Sequence, residues 1–209
     1  MITNMVIGSA WVAAFQALKI YMAWKTISKA SNLIIENPNE FTTINKKLQT
    51  MESIVVEVLE LCDRNPKDRS VSQKMMRINT LFTSTLGKIN NLRVDIDSHI
   101  QRLDLVADYS AIDGVVNLAT AGTQAFQLWH AWENLSSYTK SLAMASVVVF
   151  TVLGLGNFRA FFLSQDTLKD LRKDLKEAIR LQHMLEDLHE QAAQAINAMP
   201  EHQDLIDTA

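Results

Sequence analysis

The sequence predicts an all-α protein, an elongated bundle of about six helices in which an apolar helical hairpin lies between long amphipathic helices. Two observations carry this. Helix breakers are sparse, with three prolines and six glycines in 209 residues, and the tracts between them are rich in Leu, Ala, Met, Lys, Glu and Gln, which cost least in a helix. Apolar residues in those tracts recur at steps of three and four, whereas the alternating β-branched runs between Asn-Gly turns that mark strands are missing.

Taken in order, the first helix is expected over Thr3–Ile35, ending at Asn37-Pro38-Asn39. Its first half, Met1–Leu18, carries no charged side chain and holds Trp11 and Phe15. No basic segment precedes it and no clear cleavage site follows it, so it reads as retained and not as a signal peptide. The second helix, Glu40–Arg64, sets Phe41, Ile44, Leu48, Met51, Val55, Val58 and Cys62 along a coiled-coil-like seam and stops at Asn65-Pro66. A third, Arg69–Tyr109, has one stripe from Val71 to Leu103, with Gly87 as a weak point. Asp113-Gly114 reads as a break.

The fourth helix, Val115–Leu135, is uncharged until Glu133 and bears Phe126, Trp129, His130 and Trp132. Ser136-Ser137 turns the chain into a fifth, Tyr138–Leu163, whose centre Ser141–Phe158 is uncharged between Lys140 and Arg159. The last, Asp166–Met199, is solvated outside a seam that includes Leu171, Leu175, Leu185 and Leu188, and Pro200 ends it. The whole reads as one helical domain over 1–209. Its parts are a four-helix-type portion over 1–110, the apolar hairpin over 111–163, the amphipathic helix over 164–199 and a tail over 200–209.

Charge and motifs exclude more than they assign. A net charge of −3 gives no footprint for nucleic acid, and a single cysteine cannot form an internal disulfide. Phosphate loops, nucleophile elbows and paired metal motifs are absent, so no catalytic, cofactor or metal residues are expected. Glu186 and His189 match half of a di-iron pattern that needs a second Glu-x-x-His. A solvated helix face explains them better. Cys62 reads as a small seam hydrophobe, and His130 as a packing histidine.

The informative feature is the uncharged helix. Ser141–Phe158 just reaches the length that crosses a bilayer, while its Ser, Thr, Gly and Asn residues make insertion marginal. Trp129, Trp132 and Tyr138 cluster at the hairpin, where an aromatic belt would meet a membrane–water interface. Candidate lipid contacts are Trp11, Phe15, Trp129, Trp132, Tyr138, Val148, Phe150, Leu153 and Phe158. Candidate seam or oligomer contacts are Leu48, Met51, Val55, Val58, Leu171, Leu175, Leu185 and Leu188. A soluble bundle that buries the uncharged helices as a core is the competing reading.

This order, a charge-poor helix, two amphipathic helices and then an apolar hairpin, resembles two families of helical membrane permeabilisers. Val115–Leu163 between Arg69–Tyr109 and Asp166–Met199 is similar to the cytolysin-A type of α-helical pore-forming toxin. Residues 1–110, with Phe41–Cys62 and Val71–Leu103 as packed helices, resemble the four-helix cell-death domain of HeLo and mixed-lineage kinase-like proteins. The resemblance implies a non-enzymatic, membrane-active bundle, soluble before insertion, that partners lipid and a second copy of itself. The alternatives are a soluble helical interaction protein acting through its seams and a constitutive integral membrane protein.

Overall fold

A computed structural model describes residues 2–64 and 69–197, with side chains over 10–62, 64 and 70–194. The chain is all-α, and no strand occurs among the described residues. It has three long helices where the sequence predicts six: α1 (Ile2–Arg64), α2 (Arg69–Ala131) and α3 (Ser137–Asn197), with one 3-10 turn at Trp132–Asn134. The described residues of 1–110 therefore belong to two helices, α1 and α2. The stops expected at Asn65-Pro66 and Pro200, Met199, the 200–209 tail and the side chains of Met1–Ser9 lie outside the described residues.

The interruptions expected inside the helices are overridden by packing. Pro38 lies within α1, although it removes a backbone donor and disfavours helix at the preceding residue. Packing on both sides holds the helix through it. Asn37 is buried and donates from Nδ2 to Asp174 Oδ2 at 2.6 Å. Phe41 and Ile44, on the next two turns, are also buried. Asp113-Gly114 lies inside α2: Asp113 is ion-paired with Lys19, and Gly114 is there for close approach, since a Cβ would meet the Phe158 ring at 3.2 Å. None of the described glycines takes a positive φ. Ser164, between the fifth and sixth expected helices, is buried within α3.

The turn at Ser136-Ser137 is where the chain does reverse. The amide of Leu135 donates to the Trp132 carbonyl at 3.4 Å. Ser136 Oγ accepts from the Thr139 amide at 3.3 Å, and so satisfies one of the unpaired donors that open α3.

The chain divides into two compact units, each taking one length of every helix. Unit 1 comprises residues 1–33 and 98–171, and unit 2 comprises 34–97 and 172–209. Unit 2 has a conventional core. Ile44, Leu48, Met51, Val55 and Val58 of α1 are buried with Ile78, Ile89 and Ile96 of α2 and Leu181 and Leu185 of α3. Cross-helix polar contacts ring it: Glu57 with Lys74, Arg93 with Gln182, and His189 with Asn79 at 3.1 Å. Hydrogen bonding to Lys74 holds the Glu57 carboxyl below its usual range, and Arg180 does the same for Glu177. The seam residues are thus spent inside the chain: Leu48, Met51, Val55, Val58 and Leu185 are buried, Leu175 and Leu188 are half-buried, and Leu171 is buried in unit 1.

Leu181→Ala is expected to destabilise the protein by about 2–5 kcal/mol through cavity formation, whereas Met76→Ala, at an exposed position, should stay within about 0.5 kcal/mol. Pro38→Ala should stabilise it by up to about 3 kcal/mol. Denaturant titration followed by circular dichroism checks all three.

Candidate lipid-contact surface

In its charge-free stretches unit 1 reverses the usual distribution of polarity. Over residues 110–121 of α2 its buried positions are Ser110, Asp113, Gly114, Asn117 and Ala121, at steps of about three and four, whereas Ile100, Leu103, Val106 and Ala107 of the same helix are buried in the ordinary way. Its buried positions on α3 include Asn157, Ala160, Ser164 and Thr167, and α1 adds Ala23, Ile27 and Ala30. Between the helices, then, lie small and polar side chains. Within the charge-free stretches the large buried side chains are Phe150 and Leu153, which pack with Ala121 against Ala13, Ile20 and Val147, while Ile27, Ile100, Leu103, Val106, Leu168 and Leu171 supply apolar core elsewhere in unit 1.

The outward faces are apolar. Trp11, Phe15 and Leu18 of α1, Val115, Val116 and Phe126 of α2, and Val148, Val152 and Leu155 of α3 are all exposed. Periodicity places them there, because on α3 the exposed set 144, 148, 152, 155 keeps helical spacing opposite the buried set 150, 153, 157, 160. Among the described residues, α3 is the one helix with a stretch long and apolar enough to cross a membrane, an 18-residue window whose mean hydropathy is 1.8. Of that window 22% is buried.

Charges bound the apolar stretches at a shared level. Lys19 ends the one on α1, Asp113 precedes the one on α2, and Arg159 follows the one on α3. Lys19 is ion-paired with Asp113. Its neighbour Ile20 stands 3.3 Å from where a Gly156 Cβ would lie, less than one turn before Arg159. Each charge-free stretch is about 18 residues, or about 27 Å at 1.5 Å per residue.

Aromatic side chains mark both limits. The Arg159 guanidinium lies 5.4 Å from the Trp24 ring centroid, and Lys19 Nζ lies 5.5 Å from that of Tyr109. Burial and, secondarily, the Asp113 carboxylate push the Tyr109 phenol up. At the other limit are Trp129, Trp132 and Tyr138, all exposed, with Lys140 Nζ 4.8 Å from the Trp132 ring centroid.

Of the expected lipid contacts, Trp11, Phe15, Trp129, Trp132, Tyr138 and Val148 face outward. Phe150 and Leu153 face inward, and Phe158 is half-buried over Gly114. The sequence reading missed the inward polar set. Its signal is a run of small and polar residues at three–four steps (110, 113, 114, 117, 121 and 154, 157, 160, 164), the spacing that lets helices approach closely. The remaining residues that the sequence singles out take ordinary packing positions. His130 meets Phe126 edge-on at 4.5 Å, His189 stacks on Phe82 at 4.1 Å, and Cys62 is half-buried. Among the described residues no three of His, Cys, Asp and Glu gather as a metal site.

Comparison with protein-family models, curated proteins and solved structures gives no match.

Close packing gives a direct check. Gly154→Ala should destabilise unit 1, because its Cβ would sit 2.7 Å from Leu118. Gly87→Ala, with nothing within 4 Å, should stabilise α2 by up to about 1 kcal/mol. Opposite shifts in melting temperature are the expected result.

Proposed function

We propose that this protein is a non-enzymatic, membrane-embedded helical bundle. The charge-free stretches of α1, α2 and α3 lie in lipid, and unit 2 is an aqueous helical bundle on the same chain. One observation supports the reading above the rest: three charge-free stretches end at a common level and turn their large apolar side chains outward. Their length of about 27 Å is close to the roughly 30 Å hydrocarbon thickness of a bilayer. The Lys19–Asp113 pair lies between helices, where polar groups in lipid find their partners, and Asn117 and Asn157 are turned inward with it.

The outward apolar faces need no hinge to meet lipid. Constitutive residence in the membrane therefore fits better than release from a covered soluble form. Lys19, Lys25, Lys29, Arg102, Arg159, Lys169, Arg172 and Lys173 flank one end of the apolar stretches, and Lys140 follows the hairpin that joins α2 and α3 at the other. By the positive-inside tendency the first side is cytoplasmic, and the 132–136 hairpin faces away from it.

Two measurements test the reading. Wild-type protein is expected in the carbonate-resistant membrane pellet. Val152→Arg should release it from there, since an arginine at mid-bilayer costs about 2.5–3.5 kcal/mol, whereas the same change at a water-facing site costs at most about 0.5 kcal/mol. A soluble, detergent-free wild type that tolerates Val152→Arg would overturn the reading. In a Cys62→Ser background, an impermeant maleimide applied to intact cells should label Asn134→Cys and spare Glu60→Cys.

A further inference from the structure

A groove of about 720 Å³ opens between the end of α2, the 3-10 turn and the start of α3. Leu128, Trp129, Trp132, Glu133, Met144 and Val148 are among its lining residues. Its volume falls in the range of small-molecule sites, and its apolar wall with a few polar groups is their usual composition. The two chemistries present are separable. Trp129 and Trp132 offer indole faces, the best aromatic partners for an organic cation, and the Glu133 carboxylate supplies the opposite charge. The Trp132 face already receives a cation, because Lys140 Nζ stands 4.8 Å from its centroid. That ammonium can itself hold a phosphate as a point charge.

Resting on the membrane reading above, we propose that this groove binds the phosphocholine headgroup of a phospholipid. The trimethylammonium lies against Trp129, Trp132 and Glu133, and the phosphate lies against Lys140. Charge complementarity carries the choice of ligand, since Glu133 lines the groove and Lys140, which is not itself a lining residue, stands over the ring of one that is, Trp132. So does continuity. Leu128, Met144 and Val148 run from the groove into the outward apolar face of α2 and α3, where acyl chains follow a headgroup. Glu133 and Lys140 bound the charge-free stretches on this side, which places the groove at headgroup depth.

The test uses full-length protein in a maltoside detergent, titrated with dihexanoyl-phosphatidylcholine below its micelle concentration and followed by tryptophan fluorescence. Saturable binding is expected. It should weaken about tenfold in Trp132→Leu and in Glu133→Gln, remain unchanged in Trp24→Phe, and fall for Lys140→Gln. The matching phosphatidylglycerol should bind more weakly because it lacks the cation, and phosphatidylethanolamine should fall between the two. Equal binding of all three headgroups, a preference for phosphatidylglycerol, or wild-type affinity in both Trp132→Leu and Glu133→Gln would overturn the proposal. Far-ultraviolet circular dichroism confirms that the variants remain helical. Carbonate fractionation of the same proteins keeps the two readings apart: a flat titration of protein retained in the membrane pellet defeats this inference alone.

Discussion

The arrangement of unit 1 depends on where its polar side chains are allowed to be. Ser110, Asp113, Asn117, Asn157 and Ser164 all point between helices, while the rows facing out are Trp, Phe, Val and Leu. In water this is a costly distribution, because burying large apolar side chains is the dominant favourable term in folding and here many stay exposed. Several of the inward groups, among them both polar atoms of Asn157, have no partner among the protein's own hydrogen bonds. In hydrocarbon the same distribution is the economical one. The surroundings replace the missing apolar partners, and the polar groups gain by being turned away from them.

Close helix contact makes that interior possible. A β-carbon at Gly114 would touch Phe158, and one at Gly154 would overlap Leu118, so the two glycines let α2 and α3 approach through one large side chain each. Where lipid competes equally for apolar side chains, such close packing and interhelical polar contacts are what hold helices together. The single hydrogen bond between Ser146 Oγ and Gln124 Oε1 at 2.9 Å is a further tie of this kind. Unit 2 is built from the same three helices by the opposite rule, with Ile, Leu, Met and Val inside and charged residues outside. The change of rule falls inside unit 1, near Lys19, Asp113 and Arg159, since Ile27, Ile100, Leu103, Val106, Leu168 and Leu171 of that unit are buried in the conventional way.

What was legible in the sequence followed from averages over long tracts, and what was not depended on single contacts. Helical class and the three uncharged stretches are properties of composition and period. Neither needs a partner to be seen. The breaks at Asn37-Pro38 and Asp113-Gly114 are sound local inferences, because both pairs favour turns in isolation. They fail because Asp174 holds Asn37, Lys19 holds Asp113, and Phe158 fills the space above Gly114, all residues distant in the chain. Ser136 has no such competitor, and there the turn stands. Phe150 and Leu153 were misplaced for a related reason: within a uniformly apolar stretch, hydrophobicity has no period, so only the small residues around it mark which face turns inward.

The same reasoning explains why α3 alone reads as a spanning helix by length and composition. Mean hydropathy averages the two faces of a helix. It therefore treats Gln16 or Asn117 as if lipid met them, although both lie on inward rows. Their cost in a bilayer is that of a polar group inside a bundle, with potential partners on neighbouring helices, and not that of one exposed to hydrocarbon. On the outward rows α1 presents Trp11, Val12, Phe15 and Leu18, and α2 presents Ile112, Val115, Val116 and Phe126, faces nearly as apolar as that of α3. A bundle of three such helices can thus suit lipid better than the separate hydropathies of its members imply. Insertion of α1 and α2 would then depend on their packing against α3, through the same polar seam that lowers their averages.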